Sequence, residues 1–298
     1  MSRLFCFGLG YSATALAGQL AREGWHVSAT ATAQAGAERI RALGYEAFVF
    51  NGTAREAALT KALAEATHVV VSAPPGAAGD PVLGQFAEGL AASASVRWVG
   101  YLSTIGVYGD WQGAWVDETS ALTPGSERSV RRAAAEAEWL AWGARRGKQV
   151  IVFRLAGIYG PGRSAVDNVL DGTARRIVKP GQVFNRIHRD DIAGVVMAAI
   201  KGTPRHGVYN VCDDEPAPPQ DVVAFAAELL GVPVPLEIAF ETASLSPMGA
   251  SFYAENKRAS NARAKSDLGW RLAYPTYREG LVQVAAEARR RSKGGGRA

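Results

Sequence analysis

The first 155 residues alternate short apolar runs with alanine-rich helical stretches, and the first apolar run ends directly on Gly8-Leu-Gly10. Residues 4–7, 25–30, 47–50, 68–72, 96–101 and 150–154 read as six strands, while the spacing of Leu16 and Leu20 and the stretch 55–65 predict helices between them. Strands buried on both faces read as near-continuous apolar runs, and strands alternating with helices build a parallel, doubly wound sheet with right-handed crossovers. The expectation is an α/β protein with a Rossmann-type core over residues 1–162. Gly207-Val-Tyr-Asn-Val211 predicts a return strand near 206–212. Residues 163–205 and 213–288 would then form a smaller C-terminal substrate lobe, and residues 289–298 a basic flexible tail. Ligands of such folds lie in the crevice at the carboxyl ends of the strands.

Composition narrows the function. With 48% hydrophobic and 20% charged residues among 298, the chain reads as a soluble globular enzyme. Its apolar runs are too short to cross a bilayer and no leader precedes Leu4, so a cytoplasmic protein without membrane contact is expected. The net charge of +5 suggests nucleic acid until it is located: Arg289, Arg290, Arg291, Lys293 and Arg297 carry all of it, leaving residues 1–288 neutral. A frayed, solvated terminus explains that charge, and no nucleic-acid role is expected. Neither the two cysteines nor the four histidines show metal-ligand spacing, so no metal is expected.

A cofactor is expected at the first turn. Gly8 permits a tight turn, Gly10 lets the backbone approach a pyrophosphate, and Ala13 allows close packing of a helix that opens with Tyr11 and Ser12. Dinucleotide sites specific for NAD place a carboxylate after the second strand. Here Ala29-Thr30-Ala-Thr-Ala33 holds no acid, which favours NADP over NAD, but only slightly, because the first arginine that follows is Arg39. Asn51 could meet an adenine amino group or cap the next helix, and Ser72-Ala73-Pro74 suits a wall packed against the cofactor.

Several further motifs lie along nearly the whole chain: Ser103-Thr-Ile-Gly-Val-Tyr-Gly109, Arg154-Leu-Ala-Gly-Ile-Tyr-Gly-Pro-Gly162, Arg186-Ile-His-Arg-Asp-Asp-Ile-Ala193, Tyr209-Asn-Val211 and Leu268-Gly-Trp270. With the glycine turn, these resemble the extended and atypical short-chain dehydrogenase/reductase superfamily, the NAD-dependent epimerase/dehydratase-like proteins, and in their wording its YeeZ-like bacterial group. The resemblance implies a hydroxyl residue at Thr104, with Ser103 beside it, followed by a tyrosine acid/base and a lysine that holds the nicotinamide ribose. Counting back from Ala135-Glu136, those two positions fall on Arg128 and Arg132.

Arg132 can still reach ribose hydroxyls, but a guanidinium does not release a proton at neutral pH, so Arg128 does not replace the acid. For both arginines a solvated helix face on the run 127–146 is the competing reading. Tyr108, Tyr159 and His188 are the replacement donors, each with a packing or capping role as its alternative. Tyr253-Ala-Glu-Asn-Lys257 has the spacing of the missing pair but falls after the last core strand and is set aside. The resemblance therefore implies an NAD(P)-dependent oxidoreductase or epimerase-like protein acting on a small or sugar-like carbonyl or alcohol, with a homodimer by analogy. The alternative is a catalytically inactive, NAD(P)-binding redox-sensing or regulatory protein.

Overall fold

The structure is a computed structural model describing residues 2–53, 56–202 and 204–294. Seven parallel strands form the central sheet: β1 (Arg3–Phe7), β2 (His26–Ala31), β3 (Glu46–Val49), β4 (His68–Val71), β5 (Trp98–Thr104), β6 (Gln149–Leu155) and β7 (Gly207–Val211). They lie in the order β7-β6-β5-β4-β1-β2-β3, the doubly wound arrangement expected. Because the chain winds outward from β1 to β3 and then returns to β4, a crevice opens at the carboxyl ends of β1 and β4. Phe5 pairs with Ser28 of β2 on one side and with Val69 of β4 on the other.

Alternation along each strand divides the interior. Leu4 and Cys6 belong to the core on one face, with Leu16, Leu20 and Ile151, whereas Phe5 and Phe7 belong to the other, with Val69, Val71 and Trp139. Successive side chains of a strand point to opposite faces, which is why the sequence shows apolar runs rather than apolar-polar alternation. On the second face Phe7 meets Phe50 and Phe86 with ring centroids 5.6 and 5.3 Å apart. Each fully buried phenylalanine contributes roughly 1.5–3 kcal/mol of transfer free energy.

Helices α1 (Tyr11–Arg22), α2 (Gln34–Ala42), α3 (Ala57–Glu65), α4 (Pro81–Ala92) and α5 (Glu127–Arg146) fill the crossovers. Arg55, at the start of the expected third helix, lies outside the described residues. Helix α5 begins at Ser126, whose hydroxyl accepts from the Ser129 amide at 3.2 Å, and ends at Gly147 with φ 63°. Glu127 in its first turn and Arg145 and Arg146 in its last complement the helix dipole. The fifth strand reaches three residues beyond its expected end, which places Ser103 and Thr104 inside the ladder opposite Arg154 and Leu155.

A third, smaller core joins Tyr159 and Val166 to Val222, Tyr277, Leu281 and Val284 on the helices Pro219–Leu230 and Tyr277–Gly294. Two boundaries differ from the sequence reading. The helix Arg189–Lys201, expected in the lobe, buries Ile192, Val195 and Val196 in the same core as Leu16 and Leu20, and so completes a layer of the main sheet. The tail expected from 289 is helical through Gly294, where Arg291 pairs with Glu287 and Arg289 donates to the Leu229 carbonyl at 2.8 Å. Residues 295–298 lie outside the described residues. No helix among those described is long and apolar enough to cross a membrane, and no group of metal-ligating side chains occurs among them.

Candidate dinucleotide and active site

The glycine turn is clamped from two strands. The Gly8 amide donates to Thr30 Oγ1 at 3.0 Å, while Ser72 Oγ donates to the Gly8 carbonyl at 2.7 Å. Gly8 sits at φ +85°, and a Cβ there would lie 2.9 Å from Ser72 Oγ, so both conformation and space demand glycine. A Cβ on Gly10 would meet nothing within 4 Å. Gly10 also caps α1 without a side chain, leaving first-turn amides to an outside acceptor. Ser12 and Ala13 are buried on the sheet side of α1. Tyr11 is half-buried and donates its hydroxyl to the Pro161 carbonyl at 3.0 Å, with the Arg189 guanidinium over its ring at 5.0 Å. Burial raises the Tyr11 pKa above its ordinary value.

Over this turn lies a cavity of about 520 Å³. Gly8, Gly10, Thr30, Ser72, Ala73 and Pro74 line it as the sequence suggested, together with Thr32, Gly36, Arg39, Ile40, Leu43 and Phe50, which sequence reasoning did not assign. Glycine turn, open α1 terminus and a cavity of this volume fit a dinucleotide. Asn51 does not line the cavity: its side-chain oxygen accepts from the Thr53 amide and hydroxyl at 3.2 and 2.9 Å, and the residue before helix α3 is Glu56, whose side chain makes no capping bond. Asn51 therefore makes a local turn and does not cap the helix.

The reactive end is more sharply sorted. Thr104 ends β5 half-buried, its Oγ1 accepting from the Gly106 amide at 3.0 Å. Ser103, facing the opposite way, is buried and donates to Glu136 Oε1. Arg128 is exposed and Arg132 is half-buried, one helical turn apart in the row that continues to buried Glu136. Arg132 Nη1 donates to the Tyr101 hydroxyl at 3.1 Å and to the Leu102 carbonyl at 2.8 Å, so the expectation of a wholly solvated arginine does not hold there.

All three replacement donors are buried residues. Tyr108 is buried between Arg154 Nη1 and Asn210 Oδ1, each 2.8 Å from its oxygen. Tyr159 packs beneath the last helix, where a Cβ on Gly280 would collide with its ring, and its oxygen lies 3.4 Å from the Thr276 carbonyl. His188 caps the helix Arg189–Lys201 by accepting from the Asp190 amide at 3.2 Å, fully buried between Tyr159 and Tyr274 at 5.2 and 4.2 Å. Burial raises the pKa of both tyrosines, and burial lowers that of His188 against the opposing pull of Asp190. The contacts of these three in the structure are those of packing and capping.

Tyr253 is buried beside Phe184 and Phe240, and Lys257 donates to the Gly109 carbonyl at 2.6 Å, tying the lobe to the loop after β5. Trp111 packs that loop down through a 3.0 Å bond to the Tyr108 carbonyl, while Trp115 is exposed.

No family model matches the chain. A conserved protein of unknown function from Silicibacter pomeroyi is 48% identical, with 97% of this chain and 99% of that one covered and a TM-score of 0.86. YeeZ of Escherichia coli is 27% identical over 92% of this chain and 97% of its own. A 3-diazoavenalumate denitrifying reductase from a Streptomyces species is 32% identical over 174 residues, which spans 54% of each protein, about half of the reductase's length. The dTDP-glucose 4,6-dehydratase of Bacillus anthracis, solved in complex with NAD, shares the fold at 17% identity and a TM-score of 0.78, covering 98% of each chain. With the glycine turn, the strand order and full-length similarity in agreement, the chain belongs to one family with the Silicibacter pomeroyi protein; it is similar to YeeZ over nearly its whole length and shares the fold of the NAD-bound dehydratase.

Proposed function

We propose that the protein is an NAD(P)-dependent oxidoreductase of the short-chain dehydrogenase/reductase type that acts on a small or sugar-like carbonyl or alcohol without the usual tyrosine acid. The observation that carries this reading is the cavity at the carboxyl edge of β1 and β4, built over the clamped Gly8–Gly10 turn. Gly8, Gly10, Thr30, Ser72, Ala73 and Pro74 hold the dinucleotide, and the absence of an acid after β2 favours NADP over NAD. When bound, the nicotinamide supplies or accepts hydride. Thr104 holds the reacting oxygen of the substrate through its hydroxyl, and Arg132, fixed by Tyr101 and Leu102, turns its remaining donors toward the ribose.

Replacement of the proton donor sets the class of reaction. A positioned general acid contributes roughly 10²- to 10⁴-fold, and a guanidinium is not a proton donor of that kind. The site therefore suits acceptors that draw their proton from water or need none. The Streptomyces relative, by its name a denitrifying reductase of a diazo compound, brings diazo compounds into the range to be tested. Calorimetric titration with NADPH and NADH, then single turnover against carbonyls, alcohols, nucleotide sugars and an aryl diazonium salt, tests the reading. Cofactor oxidation that depends on one substrate class and drops with Thr104→Ala supports it; binding without turnover across the whole panel removes it.

A second reading is a redox-sensing protein that binds the dinucleotide without turnover, supported by the burial of Ser103, Tyr108, Tyr159 and His188 together with the arginines at the tyrosine and lysine positions. Its signature is a protease sensitivity that differs between oxidised and reduced cofactor.

A further inference from the structure

We propose that Arg39, with the Thr32 hydroxyl, forms a subsite for a phosphate on the 2′-oxygen of the adenosine ribose, so that this chain selects the 2′-phosphorylated dinucleotide. The inference rests on the dinucleotide reading above and adds the residue that chooses between the two forms of the cofactor.

Arg39 is distant from the end of β2 in sequence, but α2 folds back over that end. Both Thr32 and Arg39 line the same cavity as the glycine turn. Gly36 makes the fold-back close: a Cβ there would lie 2.7 Å from Ala31 Cβ and 3.7 Å from Arg39 Nη2. A side chain at 36 would push α2, and Arg39 with it, away from the strand end.

The guanidinium is also free. Arg41, on the same helix, donates to the Ala47 carbonyl at 2.9 Å, whereas Arg39 has no hydrogen bond or ion pair among the described residues. The nearby acids are engaged elsewhere: Glu46 accepts from Ser28 Oγ at 2.7 Å and Glu38 from Gln34 Nε2 at 3.3 Å. The threonines divide in the same way. Thr30 is committed to the Gly8 amide, and Thr32 is exposed with no intramolecular partner among the described residues.

NAD-specific sites meet the ribose 2′-hydroxyl with a carboxylate, and this wall holds no Asp or Glu. A phosphate monoester requires a cation and donors, and an unpaired arginine with its planar fork supplies both. Beside them, Ile40, Leu43 and Phe50 give the apolar wall that an adenine ring needs.

Titration calorimetry of the full chain with NADPH, NADH and adenosine 2′,5′-bisphosphate tests the subsite. The wild type is expected to bind NADPH at least tenfold more tightly than NADH, and to bind the bisphosphate. Arg39→Ala should weaken NADPH at least tenfold more than it weakens NADH, with its melting temperature held, because Arg39 contacts no partner. Thr32→Val should act in the same direction and more weakly. Equal or tighter binding of NADH by the wild type, or an Arg39→Ala variant that weakens both dinucleotides alike, overturns the subsite while leaving the dinucleotide reading in place. Binding of neither dinucleotide overturns both.

Discussion

Glu136 on α5 and Arg154 on β6 form a buried ion pair in which arginine Nε and Nη2 both donate to one carboxylate oxygen, at 3.0 and 2.8 Å. The other carboxylate oxygen accepts from Ser103, and Arg154 Nη1 passes the network on to Tyr108, which donates to Asn210 on β7. Both charged side chains are at most 6% exposed, so the pair has exchanged hydration for each other. It joins the helix that carries Arg128 and Arg132 to β6 and β7 and to Ser103 of β5, the strand that ends on Thr104.

Glu136→Ala should therefore cost far more than a surface ion pair. Leaving an arginine buried and unpaired costs about 3–5 kcal/mol, against about 1 kcal/mol or less for an exposed pair such as Arg146–Glu88. Urea melts of Glu136→Ala and Glu88→Ala, compared side by side, check this; similar midpoints would show the buried pair to be dispensable.

Adjacent hydroxyls should separate by role. Thr104→Ala is expected to lower turnover roughly 10²-fold with cofactor affinity unchanged, since the proposed role of this hydroxyl, beyond its bond from the Gly106 amide, is toward the substrate and not the dinucleotide. Ser103→Ala should instead lower stability by about 1–3 kcal/mol, because a buried Glu136 oxygen loses its donor. Steady-state kinetics and thermal melts on both variants distinguish them.

Arg132→Ala removes the donor shared by the Tyr101 hydroxyl and the Leu102 carbonyl. We expect dinucleotide affinity to fall about tenfold, with a smaller loss for Arg132→Lys, which keeps the charge but not the fork. Titration of the three proteins with the preferred dinucleotide reads this directly, and unchanged affinity in the alanine variant would confine Arg132 to a structural role.

Asp213, just past β7, is 2% exposed, and burial raises its pKa to about 8 against the pull of Arg186. Asp191 is raised to about 6, again by burial. In the unfolded chain both ionise near pH 4, so between pH 4 and 8 the native state holds more protons than the unfolded state, and stability falls as pH rises. The slope due to Asp213 approaches about 1.4 kcal/mol per pH unit in that window. Asp213→Asn should flatten the melting profile between pH 5 and 8; an unchanged slope would show that the carboxyl is ionised in the folded protein.

Much of the fold follows from local pattern. Each strand of the central sheet was legible because burial on both faces leaves a continuous apolar run, as in Phe5, Cys6 and Phe7, and helix α5 was bounded by its own cap at Ser126 and its glycine at 147. The lobe boundary was less legible: the helix Arg189–Lys201 has an amphipathic pattern that says it packs, but not that its partner is α1.

At the site the division is similar. The Gly8–Gly10 turn could be read because its chemistry is local, requiring a backbone conformation and space that glycine alone provides. The helix that carries Arg128 and Arg132 could also be read, because helical spacing carries those positions as a unit. The partners of Ser103, Tyr108 and His188 could not, since each side chain is satisfied by a residue distant in sequence, such as Glu136, Asn210 or a ring of the last segment, Tyr274. Nor could Arg39 be assigned to the cofactor wall: the sequence shows a basic residue on a helix, and only the return of that helix over Ala31 at Gly36 turns it toward the cavity. Sequence by itself determined what depends on neighbouring residues, namely the strands and the glycine turn. Tertiary structure alone decided which polar groups are consumed in the interior and which face the ligand, because hydrogen bonding and desolvation are settled by contacts between segments that the linear order keeps apart.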